Sequence, residues 1–138
     1  MRKTFTLLFL FFTGLAYSQI YNPVSWDFSQ NQISETEVEL NFKASIEENW
    51  HLYSQDIDES PPATTFTFIV DGDTSVRVLK EPESIEEYDP NFDMTLKYFV
   101  DEVTFKYNIN LVEGQTIKVD GYVDFMVCDD AQCLPPDY

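Results

Sequence analysis

Hydrophobic and polar residues alternate along most of the chain from Gln19 onward, and the alternation has the period of a β-strand. The clearest run sets Val38, Leu40, Phe42, Ala44 and Ile46 against Glu37, Glu39, Asn41, Lys43 and Ser45. Period two over such a stretch predicts a strand with one buried face and one wet face. Val24, Trp26 and Phe28 predict a strand before it, and Trp50-His51-Leu52-Tyr53 a short aromatic one after the break at Glu47-Glu48-Asn49. Phe66, Phe68 and Val70, then the turn Asp71-Gly72-Asp73, then Val76 and Val78 read as a hairpin. Val103, Phe105, Tyr107, Ile109 and Leu111 alternate again. After a turn at Glu113-Gly114-Gln115, Ile117, Val119, Val123, Phe125 and Val127 form the last long strand. Gly121 shares their face, where a missing side chain marks a bulge or a close backbone approach. Gln55 to Ala63 and Glu81 to Asp93 are acidic, contain proline and read as loops. With no helical period, no internal repeat and no linker, the pattern predicts one all-β domain, an antiparallel β-sandwich.

The first residues depart from this pattern. Met1-Arg2-Lys3, the apolar run Phe5 to Ala16 and the small residues Ala16 and Ser18 before Gln19 have the layout of a secretory signal peptide. The run holds roughly a dozen apolar residues, short of the ~20 that span a bilayer. Residues 1–18 are therefore expected to be a leader, and 19–138 an exported domain of 120 residues, long enough for a core of its own. No second apolar run follows, so the mature chain is expected to have no membrane span.

Charge narrows the partners. The chain carries 25 acidic and eight basic residues, a formal charge of −17, and loss of Arg2 and Lys3 with the leader makes it −19. Such a surface repels nucleic acid and anionic membranes. The aromatic and β-branched content argues against a disordered acidic chain.

The candidate chemistry lies in Val127-Cys128-Asp129-Asp130-Ala131-Gln132-Cys133-Leu134-Pro135-Pro136, which holds both cysteines. In an exported chain they most simply pair with each other. Cys128 has the opposite parity from Val123, Phe125 and Val127, which predicts a place at the rim rather than in the core. Closing so short a ring stabilises a fold by only about 2 kcal/mol. Spacing alone leaves open a structural disulfide, a redox-exchanging pair and a metal site. A structural zinc site wants four soft ligands, and His51 is the single histidine available. Asp129 and Asp130 disfavour a thiolate beside them, so an exchange partner would have to supply the attacking thiolate; alternatively they only solvate a turn. Leu134-Pro135-Pro136 makes the exit from the loop stiff and extended, unable to close a central ladder. No G-x-S-x-G motif and no glycine-rich phosphate loop is present, and no cofactor is implied.

The Cys…Cys-x-Pro-Pro arrangement resembles the cysteine loop of the amino-terminal periplasmic domain of DsbD-type thiol:disulfide interchange proteins. Trp50-His51-Leu52-Tyr53 resembles that family's aromatic segment beside the active site; Tyr53 matches one of its tyrosines, and His51 stands where some members carry another. Asp89-Pro90-Asn91-Phe92-Asp93 resembles its cap loop, whose phenylalanine covers the disulfide. The resemblance implies an immunoglobulin-like sandwich with one reversible disulfide, which takes electrons from a thioredoxin-like domain and passes them to other exported thiol proteins, in the periplasm. It further implies that Cys133 forms the mixed disulfide, that Cys128 resolves it, and that Phe92 shields the pair. The chain departs from the family in three ways. Four residues separate the cysteines where some members have five. The membrane-spanning and thioredoxin-like domains of the full transporter are not in this sequence. The chain stops at Tyr138, directly after the loop, where family domains add a further strand; either it is truncated or the sandwich closes without that strand. The alternative class is a non-redox β-sandwich interaction module with a structural disulfide.

Overall fold

The computed structural model of the chain describes residues 21–58 and 60–137, with side chains up to Leu134. The expected leader, residues 1–18, and the side chain of Pro135 lie outside the described residues. In chain order the strands are β1 (Val24–Ser34), β2 (Glu37–Ile46), β3 (His51–Tyr53), β4 (Thr65–Val70), β5 (Asp73–Arg77), β6 (Ile85–Asp89), β7 (Met94–Phe99), β8 (Glu102–Asn110), β9 (Val119–Cys128) and β10 (Cys133–Asp137). Among the described residues there is no helix. One sheet has the order β1-β2-β8 and the other the order β5-β4-β9-β3-β7-β6, with β10 also on β9. Every pairing is antiparallel. The result is an immunoglobulin-like β-sandwich.

The inward residues are those the alternation marks. Leu40, Phe42, Ala44 and Ile46 of β2 face Phe66 and Phe68 of β4 and Val123, Phe125 and Val127 of β9 in one hydrophobic core. Trp26 of β1 reaches across it, meeting Phe66 and Phe125 edge-on at centroid distances of 6.0 and 5.5 Å. Each fully buried side chain of this size stabilises the fold by about 1.5–3 kcal/mol relative to an exposed one. Gly121 is the close approach its position predicts: a Cβ there would lie 2.2 Å from the Thr67 carbonyl oxygen on β4. The β4–β5 turn has Asp71 and Gly72 at φ 51° and 88°, the left-handed pair of a two-residue hairpin.

Three expectations need correction. Val76 and Val78 do not resume a buried face; they are exposed, Val78 lies beyond β5, and Leu79 makes the core contact instead. The segment Glu81 to Asp93 is not a loop, because Ile85–Asp89 forms β6, paired with β7. As the edge strand β6 buries only Asp89, so its side chains need no alternation and carry charge, which protects a free edge. β7 escapes a period-two search because both its faces are covered: Phe99 enters the main core, while Leu96 packs on the opposite face. Nor is β9 the last strand. β3 takes one edge of β9 at Val127 and Cys128, so β10, paired with the same two residues, takes the other edge, end to end with β4.

Candidate functional site

The site is built where β9 leaves the core. Val123, Phe125 and Val127 point inward, and parity turns Cys128 to the outer face. That face was expected to be a rim, yet Cys128 is fully buried. A second, smaller core explains the difference. Tyr53 from β3 and Leu96 from β7 are buried with Cys128, and Ile57, Phe92, Tyr98, Met126 and Cys133 pack against them.

Cys128 and Cys133 form a disulfide and stand directly opposite in the β9–β10 register, with a Cα–Cα distance of 4.1 Å. Between them the chain reverses in a tight turn in which the Asp129 N–H donates to the Gln132 carbonyl at 2.9 Å. Oδ1 of Asp129 accepts the N–H groups of Ala131 and Gln132, both at 2.8 Å. These bonds, the one from Ala131 foremost, hold the Asp129 carboxyl below its ordinary value. Asp129 thus organises the turn. Asp130 is exposed at its tip and makes no hydrogen bond among the described residues.

Beside the disulfide lies the β6–β7 hairpin, whose Phe92 packs against the small core. Its tip, residues 90–93, ends with Asp93 in the left-handed region at φ 56°. Asp89 shapes the entry, accepting the Asn91 N–H on Oδ1 at 2.8 Å. Asn91 then donates from Nδ2 to the Asp129 carbonyl at 2.8 Å, which ties the hairpin tip to the cysteine turn. Phe92 is half-buried and meets Tyr53 edge-on at 5.8 Å.

A polar cluster lies beside the disulfide. Tyr53 donates its hydroxyl to Oδ2 of Asp89 at 2.5 Å. Nε2 of His51 lies 3.1 Å from the Tyr53 hydroxyl oxygen and 3.2 Å from the same Asp89 oxygen. His51 is paired with Cys128 in the β3–β9 register, and its ring packs on Tyr98 at 4.7 Å. Burial, then the hydrogen bond to Asp89, pushes the Tyr53 phenol above its ordinary value. For Asp89 burial alone would raise the carboxyl; the bonds from Tyr53, the Asn91 backbone and His51 outweigh it and hold it low. Burial also raises the Tyr98 phenol, as does its bond to Glu87 at 3.0 Å.

Cys128, Cys133, Phe92 and Tyr53 therefore meet in one cluster, and His51 stands across from Cys128. Asp129 belongs to the turn and Asp130 to solvent, while of Pro135 only the backbone, in β10, is described. Asp89 is the residue that sequence reasoning passed over, although it links His51, Tyr53 and the hairpin tip. Its one signal is local: an aspartate before proline, able to bond its own backbone two residues on.

Comparison with protein families matches residues 22–138 to the family model described as "Thiol:disulfide interchange protein DsbD, N-terminal". No curated protein and no solved structure matches the chain.

Proposed function

Since the chain belongs to the family of the N-terminal domain of thiol:disulfide interchange protein DsbD, we propose that its Cys128–Cys133 bond is a reversible disulfide. It relays electrons between thioredoxin-like domains or other exported thiol proteins, in the periplasm. A partner thiolate attacks Sγ of Cys133, the Cys128–Cys133 bond breaks, and Cys128 leaves as a thiolate. A second partner thiol then attacks the mixed disulfide, so two electrons reach the domain and the partner becomes a disulfide. In the reverse direction Cys133 attacks a partner disulfide and Cys128 resolves the adduct. Phe92 covers the pair until a partner displaces it.

The observation that carries this reading is the unequal burial of the two cysteines in a small core separate from the main one. Cys128 is fully buried and Cys133 only partly, so a docking partner meets Cys133 first. A purely structural bond is the weaker reading, since it closes a ring worth about 2 kcal/mol between strands already paired in register.

The roles can be tested by trapping. Cys128→Ser leaves Cys133 without a resolving thiol and is expected to accumulate a mixed disulfide with a thioredoxin-fold protein, resolved on a non-reducing gel. Cys133→Ser is expected to accumulate far less. No adduct with any exported thioredoxin-fold protein, or equal adducts from both variants, would contradict the assignment.

A further inference from the structure

Resting on that reading, we propose that His51 is the base that takes the proton of the Cys128 thiol when Cys128 attacks the mixed disulfide, and that Asp89 and Tyr53 are the residues that position it.

The hydrogen-bond count around His51 fixes its tautomer. The single proton of the Tyr53 hydroxyl is committed to Asp89. Nε2 of His51 therefore faces two oxygens, the Asp89 carboxylate and the Tyr53 hydroxyl, that offer it only lone pairs. A lone pair on Nε2 would be repelled by both, so Nε2 carries the proton and donates it. Nδ1 is then the basic nitrogen, and it makes no hydrogen bond among the described residues. His51 stands opposite Cys128 in register, which brings cross-strand Cβ atoms to about 4.5–5.5 Å on the same face. A carboxylate that orients an imidazole through one nitrogen, leaving the other for a thiol, is the logic of an activated nucleophile.

The surroundings make such a base necessary. Cys128 is fully buried, which disfavours its thiolate, and Asp129 and Asp130 follow it in the chain. The groups facing His51 are Tyr53 on its own strand, Asp89 from β6, Tyr98 from β7 with Glu87 on its hydroxyl, and Cys128 from β9; the turn adds the Asp129 carboxylate, whose charge His51 feels. The proton transfer produces a thiolate–imidazolium pair held by Asp89.

The step balances. Cys133 is joined to the sulfur of a partner that entered as a disulfide. The Cys128 S–H gives its proton to Nδ1, and the thiolate attacks Sγ of Cys133. The bond to the partner breaks, the electron pair leaves with the partner sulfur, and the imidazolium proton goes to that sulfur or to water. The partner disulfide has gained two electrons and the Cys128–Cys133 disulfide is restored.

The test needs no partner. In Cys133→Ser the remaining Cys128 thiol is titrated by its thiolate absorbance near 240 nm, and the same is done after adding His51→Phe or His51→Gln, with folding checked by circular dichroism. Glutamine keeps a donor for Asp89 and Tyr53 but supplies no base. Both double variants are expected to show about tenfold less thiolate at pH 7, one unit of thiol pKa. A glutamine variant that titrates like the histidine parent would leave His51 a mere donor and overturn the proposal, as would three coincident curves. The trapping result is independent: an adduct with an unchanged titration removes the base and leaves the relay, whereas a shifted titration without an adduct removes the relay and with it the step the base serves.

Discussion

Tyr53 and Asp89 are 36 residues apart in the chain, yet their side chains share the shortest contact in the polar cluster, at 2.5 Å. Removing the carboxylate leaves the buried Tyr53 hydroxyl without its acceptor, a loss of about 1–3 kcal/mol. The cluster also fixes the pH dependence. The Asp89 carboxyl is held low in the folded chain. The unfolded state therefore binds its proton more readily, and the stability that the ionised carboxylate contributes is present above about pH 4 and lost as pH falls towards the folded value. Denaturant unfolding followed from pH 7 to pH 2 is expected to show a shallower acid limb in Asp89→Asn than in the parent. Parallel limbs would mean that Asp89 is not held low. Tyr53 acts at the other end of the scale. Its phenol is raised, so its contribution is complete below about pH 10 and is lost as pH rises further. Little of this could be read from residue types. In a chain with 25 acidic residues one carboxylate does not stand out by type, whereas two cysteines, one histidine and a Cys-x-Pro-Pro exit stand out by rarity.

Among the elements, the β6–β7 hairpin contributes most to the site and was the least legible. Strands with one buried face, β2, β4, β8 and β9, announce themselves by period two, and their inward residues are the ones predicted. β6 buries only Asp89, β7 is covered on both faces, and β10 contains two prolines, so none of the three alternates. The resemblance nonetheless marked Phe92 at the hairpin tip. Two contacts tie that tip to the outer core and the cysteine turn: Phe92 against Tyr53, and Asn91 on the Asp129 carbonyl. Phe92→Ala is expected to speed reduction of the oxidised protein by a small thiol several-fold, measured by stopped-flow fluorescence or thiol release. Asn91→Ala removes one hydrogen bond of about 1 kcal/mol and is expected to act in the same direction, more weakly. An unchanged rate in Phe92→Ala would remove the cover from the account.

In the molecule as a whole, two cores divide the labour. The main core lies between the sheets and includes neither cysteine. The small outer core holds the disulfide, and the edge hairpin packed beside it has few buried residues. Opening such an edge takes far less free energy than opening the sandwich, as the proposed exchange with a partner requires. The formal charge of −17 adds a bias against nucleic acid and anionic membranes. The central claim is that the bond between Cys128 and Cys133 is a switch, and its reduction potential tests that most directly. Equilibration of the protein with glutathione or dithiothreitol buffers, read by alkylation of free thiols, is expected to give a value between about −180 and −270 mV, the range of proteins that exchange disulfides. A potential below about −300 mV, where structural disulfides lie, would contradict it.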